Sequence, residues 1–403
     1  VNILDGKRII LGVCGSIAAY KVVELARKLT LAGAQVDVIL TAAAERFVGS
    51  ATFQALTGRP VFTDLWALPE DGRVGHVSLG AKADLVIVAP ATANTLAHLA
   101  AGLCDDLLTT TVLATSAPVL CAPAMNPQMY AAAATQQNIA LLRQRGFLVL
   151  EPTEGRMAEE VVGKGRMPEA SALEGESRAL LGQRLGSLRG RKVVVTAGGT
   201  REVIDPIRFV GNWASGQMGY ALAEAARDLG AAVTLISGPT QLASPPAMTV
   251  LRVQTALQMH EAVQKACAHA DILIMNAAVA DFRPAQASPQ KLKKAKNATG
   301  LTLHLVPNPD ILVELLPLKG LFKVGFAAET QDLLSNAQGK LERKGLDMIV
   351  ANEATTSMAQ PTVQATIITA NGKHISLPNQ AKDQAAYAIL AVIAESFLLK
   401  EQG

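Results

Sequence analysis

Apolar residues in this chain gather in short continuous runs, each followed by a polar or Gly-containing turn and then by apolar positions at helical spacing. The first such unit is KRIILGVCGSIAAYKVVELARKLTLAGAQVDVILT, residues 7–41. It predicts a strand, a turn, an amphipathic helix, a glycine stop and a second strand. The order returns in KVVVTAGGT (192–200), MGYALAEAARDLG (218–230) and AAVTLISGPT (231–240), with residues 201–217 intruding between turn and helix. Further runs follow in each half: ADLVIVAPAT and APVLCAPAM in the first, ADILIMNAAVAD and FKVGFAAET in the second. Continuous apolar strands alternating with helices predict parallel sheets covered on both faces. The expected architecture is α/β, with two parallel-sheet domains at residues 1–190 and 191–403. Residues 171–190 are expected to hold the last helix of the first domain and a short tether.

Composition agrees with that plan. At roughly 150 residues per domain, 403 residues suit two or three domains. Lys and Arg number 37 against 34 Asp and Glu, a net charge of +3. That excludes a basic nucleic-acid coat and an acidic disordered chain. Half the residues are hydrophobic but only 4% aromatic, so the cores are aliphatic. No run approaches the ~18 apolar residues of a membrane span, so the mean hydropathy of +0.26 reflects buried strands and Ala-rich helices. The chain begins with a strand–loop–helix pattern, and no secretory signal is expected. Cys14, Cys104, Cys121 and Cys267 form no CxxC pair. Free thiols in a reducing cytoplasm fit that spacing better than disulfides or a zinc site.

In open α/β sheets, ligands bind beyond the carboxyl ends of the strands, where helix N-termini present N–H groups to anions. Gly15, Ser16 and Ile17 follow the first strand, Thr41 ends the second, and Thr92-Ala93-Asn94-Thr95 ends the next. Polar strand ends on one rim suggest a mononucleotide site; the alternative is ordinary helix capping by Thr and Asn. His76 follows a Gly/Pro/Asp loop, either simply solvated or suited to proton transfer. Asn126 follows a buried strand in Pro123-Ala124-Met125-Asn126 and can bind a carboxylate or make a turn. In the second half, TAGGT (196–200) is again phosphate-ready. Lys291, Lys293, Lys294 and Lys296 cluster, while Lys340 and Lys344 share a helical face. Two lysine runs in a nearly neutral, aromatic-poor chain fit a triphosphate better than a duplex.

These motifs stand in the order of a known family. The first half carries GVCGSIAAYK (12–21), GHVSLG (75–80), APATANT (89–95), AGLCDDLLT (101–109), PAMNPQMY (123–130) and GKGRM (163–167). The second carries TAGGTREVIDPIRF (196–209), NWASGQMG (212–219), NAAVADFRP (276–284), KLKK (291–294), NPDIL (308–312) and VGFAAET (324–330). Over nearly its whole length the chain resembles the bifunctional phosphopantothenoylcysteine decarboxylase/phosphopantothenate–cysteine ligases of bacterial coenzyme A biosynthesis.

The resemblance implies a flavodoxin-like FMN domain followed by a Rossmann-like, CTP-dependent ligase domain. In the first, flavin oxidises the cysteine thiol of 4'-phosphopantothenoylcysteine to a thioaldehyde, and CO2 leaves to give an enethiolate. The resemblance makes His76 the active-site base and Asn126 the holder of the substrate carboxylate. It makes Gly15, Ser16, Ile17, Thr41, Thr92, Ala93, Asn94, Thr95 and Ala124 the FMN contacts. In the second domain, CTP activates 4'-phosphopantothenate as an acyl-cytidylate, and the cysteine amine displaces CMP, with Mg²⁺ and Lys offsetting phosphate charge. Asn212 then contacts the acyl-cytidylate. Arg208, Met275, Asn276, Ala277, Ala278, Asp281, Lys291, Asn308, Pro309, Asp310, Ile311, Phe326, Lys340 and Lys344 line the substrate and CTP sites. A cytoplasmic homo-oligomer is implied, with a trimer-based shell of FMN domains and paired ligase domains, and with neither nucleic acid nor membrane as partner.

The chain departs from the family at three places. Glu159 stands where a flap cysteine usually protonates the enethiolate. Glu159 is itself a candidate donor, since a carboxyl buried under a closed flap can stay protonated. Cys104 and Cys121, expected in buried apolar surroundings, are the other candidates. The alternative is an active ligase joined to an impaired decarboxylase, or a non-catalytic flavoprotein assembly module. In the ligase half, Gln217 replaces a common Lys and Ala214 a Ser.

Overall fold

The computed structural model describes residues 2–67, 75–157, 160–293, 300–329, 333–353 and 360–402. It divides into two compact units, Asn2–Leu181 and Gly182–Gly403.

The N-terminal unit contains β1 (Arg8–Val13), α1 (Ala19–Leu31), β2 (Gln35–Leu40), α2 (Ser50–Thr57), β3 (Val61–Phe62), α3 (Gly75–Lys82), β4 (Leu85–Ala91), α4 (Ala93–Ala101) and α5 (Leu107–Leu113). It continues with β5 (Val119–Pro123), α6 (Pro127–Ala131), α7 (Ala133–Gln144), β6 (Leu148–Val149), the hairpin β7 (Thr153–Arg156) and β8 (Val162–Arg166), and α8 (Ala170–Leu185). The six strands of its main sheet are all parallel in the order β3-β2-β1-β4-β5-β6. Without the two-residue edge strand β3, the rest follow the 2-1-3-4-5 flavodoxin order. Val22, Leu25, Ala26 and Leu29 put one face of α1 into the core. Successive residues of β1 and β4 feed opposite cores, Ile9 and Leu11 on one face and Ile10 on the other. Each fully buried Leu or Ile there contributes about 1.5–3 kcal/mol.

The C-terminal unit contains β9 (Lys192–Ala197), the hairpin β10 (Arg201–Val203) and β11 (Phe209–Gly211), α9 (Gln217–Asp228), β12 (Ala232–Ser237), β13 (Thr249–Arg252), α10 (Ala256–Cys267) and β14 (Ile272–Met275). A second small hairpin, β15 (Phe282–Pro284) and β16 (Leu305–Pro307), precedes α11 (Ile311–Glu314), β17 (Phe322–Glu329), α12 (Leu333–Arg343) and β18 (Met348–Glu353). The chain closes with β19 (Thr362–Thr369), β20 (His374–Ala381) and α13 (Lys382–Gln402). The sheet order is β13-β12-β9-β14-β17-β18-β19-β20. Its first six strands are parallel, but β19 and β20 run antiparallel. The second sheet is thus parallel over six strands, as expected, and ends in an antiparallel edge pair. The tight turn at Gly372, with φ +82°, returns the chain directly and needs no helical crossover.

Leu173 and Leu181 of α8 belong to an N-terminal core, whereas Leu188 belongs to a C-terminal one. Among the described residues, no helix is long and apolar enough to cross a membrane.

Candidate active sites

In the N-terminal unit the carboxyl ends of β1, β2, β4 and β5 form one rim. Thr41 N–H donates to Val13 O at 3.1 Å and Ala124 N–H to Ala91 O at 3.1 Å, stitching neighbouring strand ends together. Gly15 permits this approach: a methyl there would lie 2.4 Å from Ala43 Cβ and 2.9 Å from its carbonyl carbon. α1 has no side-chain cap from Ala18, and its entry is closed locally: Ala18 N–H donates to Ser16 Oγ at 3.3 Å, Ala19 N–H to Ser16 O at 2.9 Å and Lys21 N–H to Ala18 O at 3.0 Å. Thr92 does cap α4, its Oγ1 accepting from Thr95 N–H at 3.2 Å and lying 3.0 Å from Thr95 Oγ1. Capping is thus observed at Thr92, while Asn94 is exposed and Ala93 half-buried.

A cleft of about 510 Å³ brings together Ser16, Ile17, Ala124 and Asn126, with Arg156 and Arg166 of the β7–β8 hairpin on its wall. Gly165 O accepts from Met125 N–H at 3.0 Å, fixing the hairpin to the end of β5. Asn126 caps α6, its Oδ1 accepting from Gln128 N–H at 2.9 Å. Gly15, Thr41, Thr92–Thr95 and His76 are not among the residues lining this cleft. Arg156 and Arg166 went unselected by sequence reasoning, although Arg166 sits within the GKGRM motif. Glu159 lies outside the described residues, as do Lys294 and Lys296 of the lysine cluster.

His76 is not in a loop as expected. It occupies the first turn of α3, a helix tied to the turn after α5 by the Thr115 Oγ1–Gly80 O hydrogen bond of 2.7 Å. Its Nδ1 is buried with no hydrogen-bond partner among the described residues. An unsatisfied buried nitrogen costs about 1–3 kcal/mol and marks a place completed by something further.

The cysteines separate clearly. Cys121 is fully buried and its thiol is pushed far up by burial. Burial raises Cys14 to about 12, outweighing hydrogen bonds to Thr95 and Thr92, and raises Cys267 to about 12. Cys104 is only half-buried, which corrects the buried-core expectation for it. Since the thiolate is the reactive form, iodoacetamide at pH 8 is expected to label Cys104 first and the other three only after denaturation. Peptide mass spectrometry checks this, and rapid labelling of Cys14 or Cys121 in the folded protein would contradict it.

In the C-terminal unit, the turn after β9 and the segment after β14 are tied into one rim. Thr196 Oγ1 accepts from Asn276 N–H at 3.1 Å and Ala277 N–H at 3.0 Å. Ala278 N–H donates to Gly198 O at 2.9 Å, and Thr200 N–H to Ala278 O at 3.2 Å. Asn212 Nδ2 donates to Ala278 O at 2.9 Å. Its Oδ1 lies 2.3 Å from where a methyl on Gly199 would sit, so that position must lack a side chain. A cleft of about 290 Å³ collects Asn276, Ala277, Ala278, Phe326 and Lys340, together with Gln217 and Lys382. Lys340 Nζ donates to Phe326 O at 2.9 Å.

The remaining candidates do not line this cleft. Met275 and Ile311 are buried core side chains, so only their backbones can face a ligand. Arg208 is held by Asp205 at 2.5 Å and donates to Leu292 O at 2.8 Å, positioning the segment that carries exposed Lys291. Asp205 is kept well below the usual carboxylate range by Arg208 first, then by surrounding backbone N–H groups. Asn308 Nδ2 donates to Ala280 O at 2.8 Å, and Asn308 N–H to Asp281 O at 2.8 Å, tying this loop to the rim beside Pro309. Asp310 caps α11 and pairs with Lys344 at 2.9 Å. Burial pushes Asp310 up, but Lys344 and backbone N–H groups outweigh it and hold the carboxyl below its ordinary value. Thr196, Asp205 and Lys382 were missed by sequence reasoning.

Comparison with known proteins gives both units a family. Residues 2–181 match the family described as Flavoprotein, and residues 188–397 match the DNA/pantothenate metabolism flavoprotein C-terminal domain. The coenzyme A biosynthesis bifunctional protein CoaBC of Vibrio cholerae is 46% identical over 97% of this chain and 99% of its own length. Its namesake in Bacillus subtilis is 45% identical over 97% of each chain, and that of Mycobacterium bovis 48% over 86% of each. Identity at this level across both units shows that the chain belongs to the CoaBC family of bifunctional coenzyme A biosynthesis proteins.

Proposed function

We propose that the C-terminal unit joins cysteine to 4'-phosphopantothenate through a CTP-derived acyl-cytidylate, and that the N-terminal unit decarboxylates the product with FMN to give 4'-phosphopantetheine. The carrying observation is near-full-length identity to bifunctional relatives across both units.

The N-terminal residues fit a flavin mononucleotide. The positive end of the α1 dipole suits its phosphate, Gly15 leaves room for close backbone approach, and His76 Nδ1 has no hydrogen-bond partner among the described residues. FMN held there would supply a reversible two-electron acceptor for the substrate thiol, the chemistry that makes loss of CO2 feasible. In this reading Asn126 orients the carboxylate that leaves, His76 takes up the proton, and Glu159 returns one to the product. His76 does not line the cleft of its own protomer, which favours a site completed across protomers in a trimer-based shell. Exposed Ile17 and Tyr20, at 63% and 62%, give that contact an apolar surface.

In the C-terminal unit, the rim at Asn276–Ala278 receives the cytidine, Phe326 packs against it, and Lys340 offsets phosphate charge. Asn212 and Gly199 hold the activated carboxyl where cysteine attacks. Among the described residues, no group of three or more His, Cys, Asp or Glu forms a metal cage. Mg²⁺ keeps most of its waters and binds through phosphates, so we place it with the CTP. Ile207, Phe209 and Phe282, exposed on the two small hairpins, support pairing of ligase units as dimers. We place the protein in the cytoplasm, in keeping with its free cysteines.

The test is a product analysis with 4'-phosphopantothenate, cysteine, CTP and Mg²⁺. Flavin-free protein is expected to accumulate 4'-phosphopantothenoylcysteine, and FMN-loaded protein to yield 4'-phosphopantetheine. Accumulation of the first product in both samples would sink the decarboxylase half of the reading.

A further inference from the structure

Lys382 is the first residue of α13, which packs along α9. Its backbone N–H donates to Pro361 O at 3.2 Å. The side chain is half-buried, lines the cleft with Gln217, Ala278, Phe326 and Lys340, and has no hydrogen-bond or ion-pair partner among the described residues. No motif drew attention to it, and nothing in the catalytic scheme above uses it.

A lysine is unfavourable at this position for three independent reasons. Burial strips water from the ammonium group and pushes its pKa below the ordinary lysine value. The first turn of a helix carries the positive end of the dipole, which repels a cation. Lys340 adds like charge to the same cleft, and among the described residues no Asp or Glu lines it to compensate. Gln217, at the start of α9, is neutral. Such an arrangement is relieved when an anion enters.

We propose that Lys382 is a binding residue for a phosphoryl group of the cleft's substrate, and that together with Lys340 it supplies the cationic wall of this site. The assignment rests on the ligase reading of the C-terminal unit. Two substrates of that reaction carry phosphoryl groups, CTP and 4'-phosphopantothenate, and the test separates them. Cysteine carries none.

The full chain is compared with Lys382→Gln and Lys382→Arg by initial rates of pyrophosphate release, titrating each substrate in turn. Loss of one charge-assisted hydrogen bond is worth roughly a ten- to hundred-fold change in binding. Lys382→Gln is expected to raise KM for CTP or for 4'-phosphopantothenate by that factor, to leave KM for cysteine unchanged, and to be rescued by Lys382→Arg. Thermal midpoints supply a second readout. Without ligand, Lys382→Gln should melt at or above the parent, because an unpaired, half-buried cation has been removed. The rise in midpoint on adding the affected substrate should shrink. Unchanged KM for both phosphoryl substrates, or a lower ligand-free midpoint with unchanged KM, overturns the assignment. Should the parent release no pyrophosphate, the ligase reading falls, and the midpoint shift with CTP still decides the role of Lys382.

Discussion

Replacing His76 by Gln is expected to lower CO2 release by about 10²–10⁴-fold, the range of a lost general acid–base group, while pyrophosphate release continues at the parental rate. The imidazole is held by a helix that is itself fixed: Gly80 of α3 accepts a hydrogen bond from Thr115 in the turn after α5. At Gly80 a methyl would lie 3.0 Å from Ala114 O. Nδ1 is buried and has no partner among the described residues, so Gln, which keeps a polar side chain there, should not unfold the unit. The two readouts come from separate compact units, and their independence is part of the prediction. A second arm addresses assembly. If His76 of one protomer completes a site holding Asn126 of another, mixed oligomers of His76→Gln and Asn126→Ala should regain part of the CO2 release that each variant lacks. Mixtures as inactive as their components would contradict the shared site, and a fully active His76→Gln would remove the base assignment.

Thr196→Val is expected to have the opposite selectivity. The hydroxyl accepts from two successive amides, Asn276 and Ala277, and donates to Met275 Sδ at 3.4 Å. Valine preserves the shape but removes the acceptor, leaving two N–H groups to seek water or move. At about 1–3 kcal/mol for each such group, the rim that lines the cleft loses its registration with β9. Pyrophosphate release should fall by at least about 100-fold, as a misplacement near 1 Å does elsewhere. CO2 release from supplied 4'-phosphopantothenoylcysteine should persist, and Thr196→Ser should restore the ligase. A Val variant with parental ligase rates would show that the Thr196 hydroxyl is dispensable.

The strand ends were legible because a buried parallel strand advertises itself as a continuous apolar run, and its successor residues must lie on the ligand rim. Gly15, Asn126, Asn276–Ala278 and Lys340 were found that way or through motif resemblance. Other features depend on contacts that no local pattern encodes. Thr196 reads as part of a phosphate turn, yet its hydroxyl serves amides 80 and 81 positions away. Arg208 is assigned to the substrate site by resemblance, yet Asp205 and Leu292 O hold its guanidinium. The hairpins β10–β11 and β15–β16 have three residues per strand, too few to show a period. His76 reads as a loop residue because the Gly-, Pro- and Asp-containing sequence before it gives no helical period, whereas it lies in the first turn of α3.

The central claim is that one chain makes an amide bond and then removes the carboxyl group of the amino acid it has just joined. The most direct measurement supplies FMN-loaded protein with carboxyl-labelled cysteine, 4'-phosphopantothenate, CTP and Mg²⁺, and compares labelled CO2 with pyrophosphate. The two should appear in equal amounts after a short lag, and omission of CTP should abolish both. Labelled CO2 without CTP, or pyrophosphate with the label retained in the product, would contradict the account.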